Sequence, residues 1–333
     1  EKGLKIFGPD KECAQLEGSK SFAKNFMEKY NIPTAKYRTY EDYEGAIKAL
    51  EEFSFPLVIK ADGLCLGKGV EIVETKEKAT RVLEDILKNK KFGKEGDKVV
   101  IEEFLHGVEG SLLCFVSGNK LIPMESAKDY KKAYDGDEGP NTGGVGAFSP
   151  SPLFTEGLNK RIKEEILSRI EEGLEKEGLN YKGILYIGLM ITGEEPKVLE
   201  FNARFGDPET EVLLPRLESD IVDLFLKTID LTWEPKDIVW KKESSLTVVL
   251  TSEGYPLSYE KGFEIKGHDE LDESIILFHN GTKYDEGKLL TNGGRVLSVT
   301  ALAPSLDEAR GLVYANVDKI SFKGMFYRKD IGK

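Results

Sequence analysis

The stretch Glu200-Phe201-Asn202-Ala203-Arg204-Phe205-Gly206-Asp207-Pro208-Glu209 holds the residue types best suited to chemistry. On a strand, alternate residues share a face, so Glu200, Asn202 and Arg204 point one way while Leu199 and Phe201 pack behind. A carboxylate beside an amide supplies hard oxygen ligands of the kind Mg²⁺ takes when it also holds substrate phosphates. Arg204 can then meet developing negative charge. The same letters also suit a polar-faced edge strand of an antiparallel sheet, and on this stretch alone both readings stand.

A second group follows Lys60. In Ala61-Asp62-Gly63-Leu64-Cys65-Leu66-Gly67-Lys68-Gly69 the glycines let backbone N–H groups approach an anion, and Lys60 and Lys68 add positive charge. The spacing is not that of a Walker A loop, and a plain glycine-rich hairpin with a solvated lysine has the same letters. Glu102-Glu103-Phe104-Leu105, with Glu109 beyond, is a strand end beside an apolar wall. Such an end can hold a purine through backbone groups while a carboxylate accepts from ribose hydroxyls. In Gly139-Pro140-Asn141-Thr142-Gly143-Gly144, small donors on an adaptable backbone suit a bound anion, and Asp129 upstream suits an amine. A mobile surface loop is the plainer reading there. Thr291-Asn292-Gly293-Gly294-Arg295 reads as a hairpin turn through Asn292-Gly293, with Arg295 able to take a carboxylate or phosphate bidentately. Together these groups are the ingredients of ATP-dependent phosphoryl transfer.

The bulk properties bound what such a site can serve. The chain has 333 residues, enough for about two domains and a sizeable core. Hydrophobic residues at 40% and charged residues at 32% describe an ordinary globular protein. A net charge of -12 argues against extended nucleic-acid binding, though not against a local basic pocket. The longest apolar run, residues 183–191, is too short to span a bilayer. Three scattered cysteines read as free thiols of a reducing compartment, and three histidines without paired spacing argue against zinc. A cytoplasmic location without membrane or nucleic-acid partners is the expectation. The charged opening has no signal-peptide pattern, and a strand-like start directly after Glu1 predicts further sequence upstream.

The elements that must position the candidates follow from periodicity and punctuation. A short strand is expected at 4–7 and a helix capped by Ser19, with Phe22, Phe26 and Met27 at helical spacing. A second helix is expected at 40–52. Strands at 55–60, 70–73, 98–104 and 111–116, with a helix at 75–88, make a small unit able to move on hinges near Phe53 and Ser117. Residues 129–152 read as a long glycine-rich connection. Thr155 caps an amphipathic helix with Leu158, Ile162, Ile166, Ile170 and Leu174 on one stripe. Residues 183–191 and 197–202 form a hairpin that delivers the opening stretch, and a helix at 218–228 closes the central part. Beyond a polar linker at 230–242, strands at 245–250, 274–279 and 295–302 and a helix at 305–320 make a small α+β domain.

These motifs, in this order, resemble the glycinamide ribonucleotide synthetases (phosphoribosylamine–glycine ligases) of the ATP-grasp superfamily. Further matching segments are Leu4-Lys5-Ile6-Phe7-Gly8-Pro9, Gln15-Leu16-Glu17-Gly18-Ser19-Lys20 and Tyr327-Arg328-Lys329-Asp330-Ile331-Gly332, so the resemblance runs over essentially the whole chain. It implies an α/β (α+β) ATP-grasp fold at 9–230 with a mobile lid at about 54–117, a C-terminal α+β domain at 231–333, and residues 1–8 as the remnant of an absent N-terminal domain. It implies ligation of glycine to 5-phosphoribosylamine through glycyl phosphate, with ATP and Mg²⁺ or Mn²⁺, by a monomer. Lys60, Lys68, Gly67 and Gly69 would hold the phosphates, Glu102 and Leu105 the adenine, and Glu109 the ribose. Glu200 and Asn202 would bind the metal, and Arg204, Lys68 and Asp207 would serve catalysis. Asp129, Asn141, Thr142, Gly143, Asp207, Glu209 and Arg295 would meet glycine or the amine. Without its N-terminal domain, supplied in cis or in trans, such a chain is expected to bind ATP and to complete the ligation poorly. Another ATP-grasp carboxylate–amine ligase of purine synthesis is the runner-up. The superfamily's further acid from the neighbouring hairpin strand has no counterpart in residues 184–191, so a second metal would need another ligand.

Overall fold

A computed structural model describes residues 3–65, 68–193 and 195–333. Two compact units are each assembled from separated stretches: Glu1–Pro123, Phe154–Arg204 and Phe225–Trp233 in the first, and Met124–Leu153, Phe205–Leu224 and Glu234–Lys333 in the second.

The first unit contains two four-stranded antiparallel sheets. One has the order Tyr37–Tyr40, Val99–Glu103, Leu57–Ala61, Val70–Val73. Leu57, Ile59, Val99 and Ile101 fill its apolar face against Ala46 and Ala49 of helix Tyr43–Ala49 and Ala79 and Leu83 of helix Lys76–Leu83. Each helix starts where a side chain can satisfy an otherwise unpaired N–H: Asp42 accepts from Gly45 N at 2.7 Å and Thr75 from Lys78 N at 3.2 Å. The helix expected at 40–52 therefore starts three residues late, because Tyr37–Tyr40 is a strand paired to Val99–Glu103.

The other sheet has the order Glu195–Asn202, Tyr181–Thr192, Val108–Gly118, Lys120–Pro123. Residues 111–116 do not complete the small unit as expected. They pair in register from Tyr181↔Gly118 to Ile191↔Val108, inside an apolar strand pair that buries Leu113, Phe115, Leu185 and Ile187. The expected strand at 4–7 is also absent. Leu4 and Ile6 are exposed and, among the described residues, no strand pairs with them, while Phe7 stacks on Phe225 with centroids 4.0 Å apart.

Helix Lys20–Lys29 starts at Ser19, whose hydroxyl accepts from Phe22 N at 3.2 Å. Thr155 caps Glu156–Ile162, which continues through a π turn at Lys163–Leu167 into Ser168–Lys176. The stripe Leu158, Ile162, Ile166, Ile170, Leu174 is buried throughout. Spaced strictly by four, it would wind around a helix of 3.6 residues per turn, and the i→i+5 turn brings it back towards one line.

In the second unit, the sheet has the order Ile275–His279, Arg295–Ala303, Ser244–Ser252, Gly146–Ser149, Lys128–Asp129, with Met325–Phe326 beside Ser244–Ser252. Alternation gives it two characters. Leu246, Val248, Leu250, Leu297, Val299 and Ala301 pack with Ala309, Val313 and Val317 of helix Leu306–Val317. Thr247, Ser298 and Thr300 lie between them in the strands, with Thr300 Oγ1 donating to Thr247 Oγ1 at 2.7 Å, and helix Thr210–Leu213 packs on the same strands. The connection at 129–152 is not structureless. Strands Lys132–Tyr134 and Glu138–Asn141 pair with each other, and Gly146–Ser149 pairs with Lys128–Asp129 and Ser244–Ser252. The fully buried Arg328 ties this region to the chain's last residues, donating to Asp137 Oδ1 at 2.8 Å, the Lys132 carbonyl at 3.1 Å and both Asp330 oxygens at 2.7 Å. Thr291-Asn292-Gly293-Gly294 is not a hairpin turn, since Lys288–Thr291 pairs with Thr282–Asp285 while Arg295–Ala303 belongs to the large sheet.

Candidate functional site

The sequence-derived residues divide between the two units. In the first unit, strand Glu195–Asn202 carries a bulge: Gly188 faces Glu200 and Leu189 faces Val198, leaving Leu199 over. The alternation resets there, so Val198 and Phe201 are the buried pair and Leu199 instead packs with Ala35, Leu105 and Met190. Leu199 and Phe201 thus do not share a face, contrary to the strict alternation expected. Beyond the bulge Asn202 Nδ2 donates to Glu200 Oε1 at 3.4 Å, and Arg204 Nη2 reaches Asn202 Oδ1 at 3.5 Å. Glu17, which sequence reasoning overlooked, steadies the strand end: it accepts from Ala203 N at 2.7 Å and pairs with Arg204 Nε at 3.3 Å. Among the described residues no group of three or more His, Cys, Asp or Glu side chains converges as a metal cage. Glu200 and Asn202 fit a hard cation that takes its remaining oxygens from water and phosphate.

Lys60, from strand Leu57–Ala61, lies almost wholly buried with Nζ 2.9 Å from Glu102 Oε1 and 3.3 Å from the Leu199 carbonyl, one residue before Glu200. Glu102 is 2% exposed, and its carboxylate is occupied by lysine on both sides. The second lysine is Lys24, Nζ 3.3 Å from Glu102 Oε2. Burial pushes Lys24 down to about 8, with Glu102 opposing. Lys20, one helical turn earlier, donates to the Gly63 carbonyl at 3.0 Å; burial lowers it too, with Cys65 and Glu200 opposing. Asp62 anchors the loop to the helix start, accepting from Ser21 N at 2.6 Å and Ser19 Oγ at 2.9 Å. The signal for both lysines was present in the sequence as Lys20 and Lys24 at i, i+4, which share one helix face.

Other members of the first set are less enclosed. Lys68 is exposed, with its N–H bonded to the Cys65 carbonyl at 2.9 Å. Gly69 is buried, and a Cβ there would sit 2.7 Å from Cys65 Cβ. Gly67 lies outside the described residues. Leu105 is buried and Glu109 half-buried on strand Val108–Gly118.

In the second unit the geometry assigns Asp207 and Arg295 to each other. The guanidinium donates to Asp207 Oδ1 at 2.7 Å and Oδ2 at 3.0 Å, and to the carbonyls of Gly143 at 2.8 Å and Gly144 at 3.4 Å. Tyr255, which no sequence signal singled out, accepts from Gly143 N at 3.0 Å. Thr142 Oγ1 donates to the Lys131 carbonyl at 2.8 Å and accepts from Gly144 N at 3.0 Å. Gly144 has φ +105°, and a Cβ would lie 2.3 Å from Pro208 Cδ, so the 139–144 and 206–209 segments touch where only glycine fits. Asn141 is exposed, whereas Glu209 is buried and the Asp129 side chain is nearly so, 4.0 Å from Lys131 Nζ. Glu211 was also overlooked. Burial pushes its carboxyl up to about 7, with the Ser298 hydroxyl opposing, Asp207 adding, and Arg295 and Thr247 opposing. A hollow of about 370 Å³ between Ser252, Tyr259, Phe263 and Lys323 contains none of these residues.

Residues 18–210 match the phosphoribosylglycinamide synthetase ATP-grasp (A) domain, and residues 245–333 match the C domain of the same synthetase. The chain belongs to the phosphoribosylglycinamide synthetase family. It is 49% identical to the phosphoribosylamine–glycine ligase of Halalkalibacterium halodurans over 332 residues, 100% of this chain and 77% of that protein. The crystal structure of the phosphoribosylamine–glycine ligase of Thermotoga maritima matches with a TM-score of 0.90 at 41% identity, covering 98% of this chain and 81% of that one. The biotin carboxylase domain of the Hydrogenobacter thermophilus 2-oxoglutarate carboxylase, solved with MgADP, ADP and bicarbonate, shares the fold alone: TM-score 0.76, 17% identity, 98% of this chain and 71% of that one. The chain is an α+β ATP-grasp protein with phosphoribosylamine–glycine ligase activity in purine biosynthesis, which sets aside the runner-up ligase. The alignments take in essentially all of this chain and 77% and 81% of these two relatives' lengths. Among the described residues no helix is long and apolar enough to cross a membrane.

Proposed function

We propose that the ligation proceeds by activating glycine as glycyl phosphate at the expense of ATP. A glycine carboxylate oxygen attacks the γ-phosphorus and ADP leaves. The amine nitrogen of 5-phosphoribosylamine then attacks the glycyl carbonyl, phosphate departs with the cleaved C–O bond, and the nitrogen gives up a proton. A free carboxylate is a poor acyl donor, so the chain's task is positioning and charge neutralisation.

Lys60 and Lys68, with the backbone of Gly67 and Gly69, hold the nucleotide phosphates. Leu105 and the Glu102 strand end take the adenine, and Glu109 the ribose. Glu200 and Asn202 hold Mg²⁺ or Mn²⁺, which neutralises phosphate charge when bound. Arg204 steadies the transferring phosphoryl group. Asp207, Glu209, Asp129, Asn141, Thr142, Gly143 and Arg295 serve glycine and the amine, with Asp207 and Arg295 acting as a pair on the Gly143 loop. Functionally the chain divides into 9–230 and 231–333, with a lid on the small sheet that ends at Glu103, before the 108–118 strand of the other sheet, excluding water from the acyl phosphate. A cytoplasmic monomer completes the reading.

One observation supports this most directly: Lys60 reaches the Leu199 carbonyl at 3.3 Å, which sets a phosphate-type cation beside the Glu200/Asn202 strand. Turnover with glycine labelled by ¹⁸O in its carboxylate is the test. One ¹⁸O is expected in the released phosphate for each turnover, and unlabelled phosphate would overturn the route.

A further inference from the structure

Lys24 is placed oddly for a lysine in mid-helix. It is 2% exposed, on a helix that also buries Ala23, Phe26 and Met27, and its Nζ lies 5.6 Å from the Tyr37 ring centroid and makes two polar contacts elsewhere in the first unit. One goes to Glu102 Oε2 at 3.3 Å. The other donates to Thr34 Oγ1 at 2.7 Å, and Thr34 Oγ1 in turn donates to the Val198 carbonyl at 2.6 Å. Thr34 also bridges Val198 in parallel, with Val198 N bonded to the Pro33 carbonyl at 2.7 Å. Lys60 closes the ring from the opposite side, from Glu102 Oε1 to the Leu199 carbonyl. Two ammonium groups therefore share one buried carboxylate, and both branches end on the bulge that precedes Glu200.

A single lysine would have neutralised Glu102. The second leaves the cluster with one positive charge in excess where water is scarce, a state relieved by an anion nearby. Lys24 is sealed behind Glu102 and cannot be the group that touches that anion; Lys60, less enclosed at 7% exposed, is nearer the surface. We infer that Lys24 is a positioning residue for the nucleotide phosphates: by sharing Glu102 it leaves the charge of Lys60 uncompensated, and through Thr34 it holds the 198–200 bulge in place. The inference rests on the reading that Lys60 meets phosphate.

The quantity to measure is the gain in affinity from adenosine to ADP, by calorimetry with Mg²⁺ present. Lys24→Met makes the cluster neutral and is expected to cut that gain about tenfold or more while adenosine affinity stays within about twofold, as expected for one charge acting through a partly buried medium. Lys24→Met with Glu102→Gln returns the excess charge to Lys60 and is expected to restore most of the gain, a rescue that a purely structural tie does not produce. Lys24→Gln removes the same charge with a polar tip and serves if the Met variant does not fold. An unchanged gain, or an equal loss for adenosine and ADP, overturns the inference. If the wild-type chain itself gains nothing from the phosphates, or Lys60→Met leaves the gain intact, the underlying phosphate reading has failed instead.

Discussion

Replacing Glu211 by Gln removes a buried negative charge while keeping the shape and the hydroxyl partners Thr247 and Ser298. Desolvation raises the carboxyl from its ordinary 4.5 to about 7, against the Ser298 hydroxyl and Arg295. The sign follows from which state holds the proton. Between about 4.5 and 7 the folded protein keeps a proton that the unfolded chain has released, so this group's contribution to stability declines as pH rises across that window. Above about 7 the full cost of an ionised buried carboxylate is present. At 1.36 kcal/mol per pH unit, the rise corresponds to about 3 kcal/mol. Glu211→Gln is therefore expected to match the wild type near pH 4.5 and to be more stable at pH 8, by roughly 6 °C or more in Tm for a unit of this size. The assay is thermal unfolding of both proteins in parallel from pH 4.5 to 8.5. A difference independent of pH, or a Gln variant less stable at pH 8, would refute the reasoning.

Three further outcomes are expected. Asp207→Asn and Arg295→Met, singly and combined, should show a coupling of about 1 kcal/mol in denaturant unfolding, held down by the exposure of Asp207; additive losses would mean the bidentate pair contributes nothing. Gly144→Ala forces a Cβ against Pro208 at a φ of +105° and should cost about 2 kcal/mol or more, read by urea titration, with a change under about 0.5 kcal/mol counting against the close approach. Glu200→Gln should lower metal-dependent turnover about 100-fold or more, the loss of several kcal/mol of charge neutralisation, while adenosine affinity measured without metal stays put; a parallel fall in both would point to a misfolded strand.

Local chemistry was legible in the sequence, and non-local partnership was not. Ser19, Thr155 and Ser305 announced helix starts because an N-cap needs only its own turn. The hairpin carrying Glu200 and Asn202 was equally plain from two apolar runs about a turn. What pairs with 108–118 lies some seventy residues away, and nothing in the strand's own letters distinguishes that partner from the neighbouring Val99–Glu103. Residues 129–152 hid their strands because glycine and proline depress every strand signal, although backbone pairing does not need a side chain. Lys24 reads as one more solvated lysine until the fold turns its helix face towards Glu102. The bulge at Leu199 is likewise invisible, since the extra residue exists only relative to the facing strand.

The π turn at Lys163–Leu167 has a consequence for what this helix can lose. In a regular helix at about 100° per residue, five positions spaced by four fan out over about 160°. Shortening one of those steps to three folds the fan back to within about 80°. The π turn therefore marks a surplus residue, and Lys163, Glu164 or Glu165 is dispensable to the stripe that holds this helix down. The segment behaves as an ordinary amphipathic helix with a one-residue insertion absorbed in its middle, and a deletion there returns it to regular geometry with the same five side chains still buried.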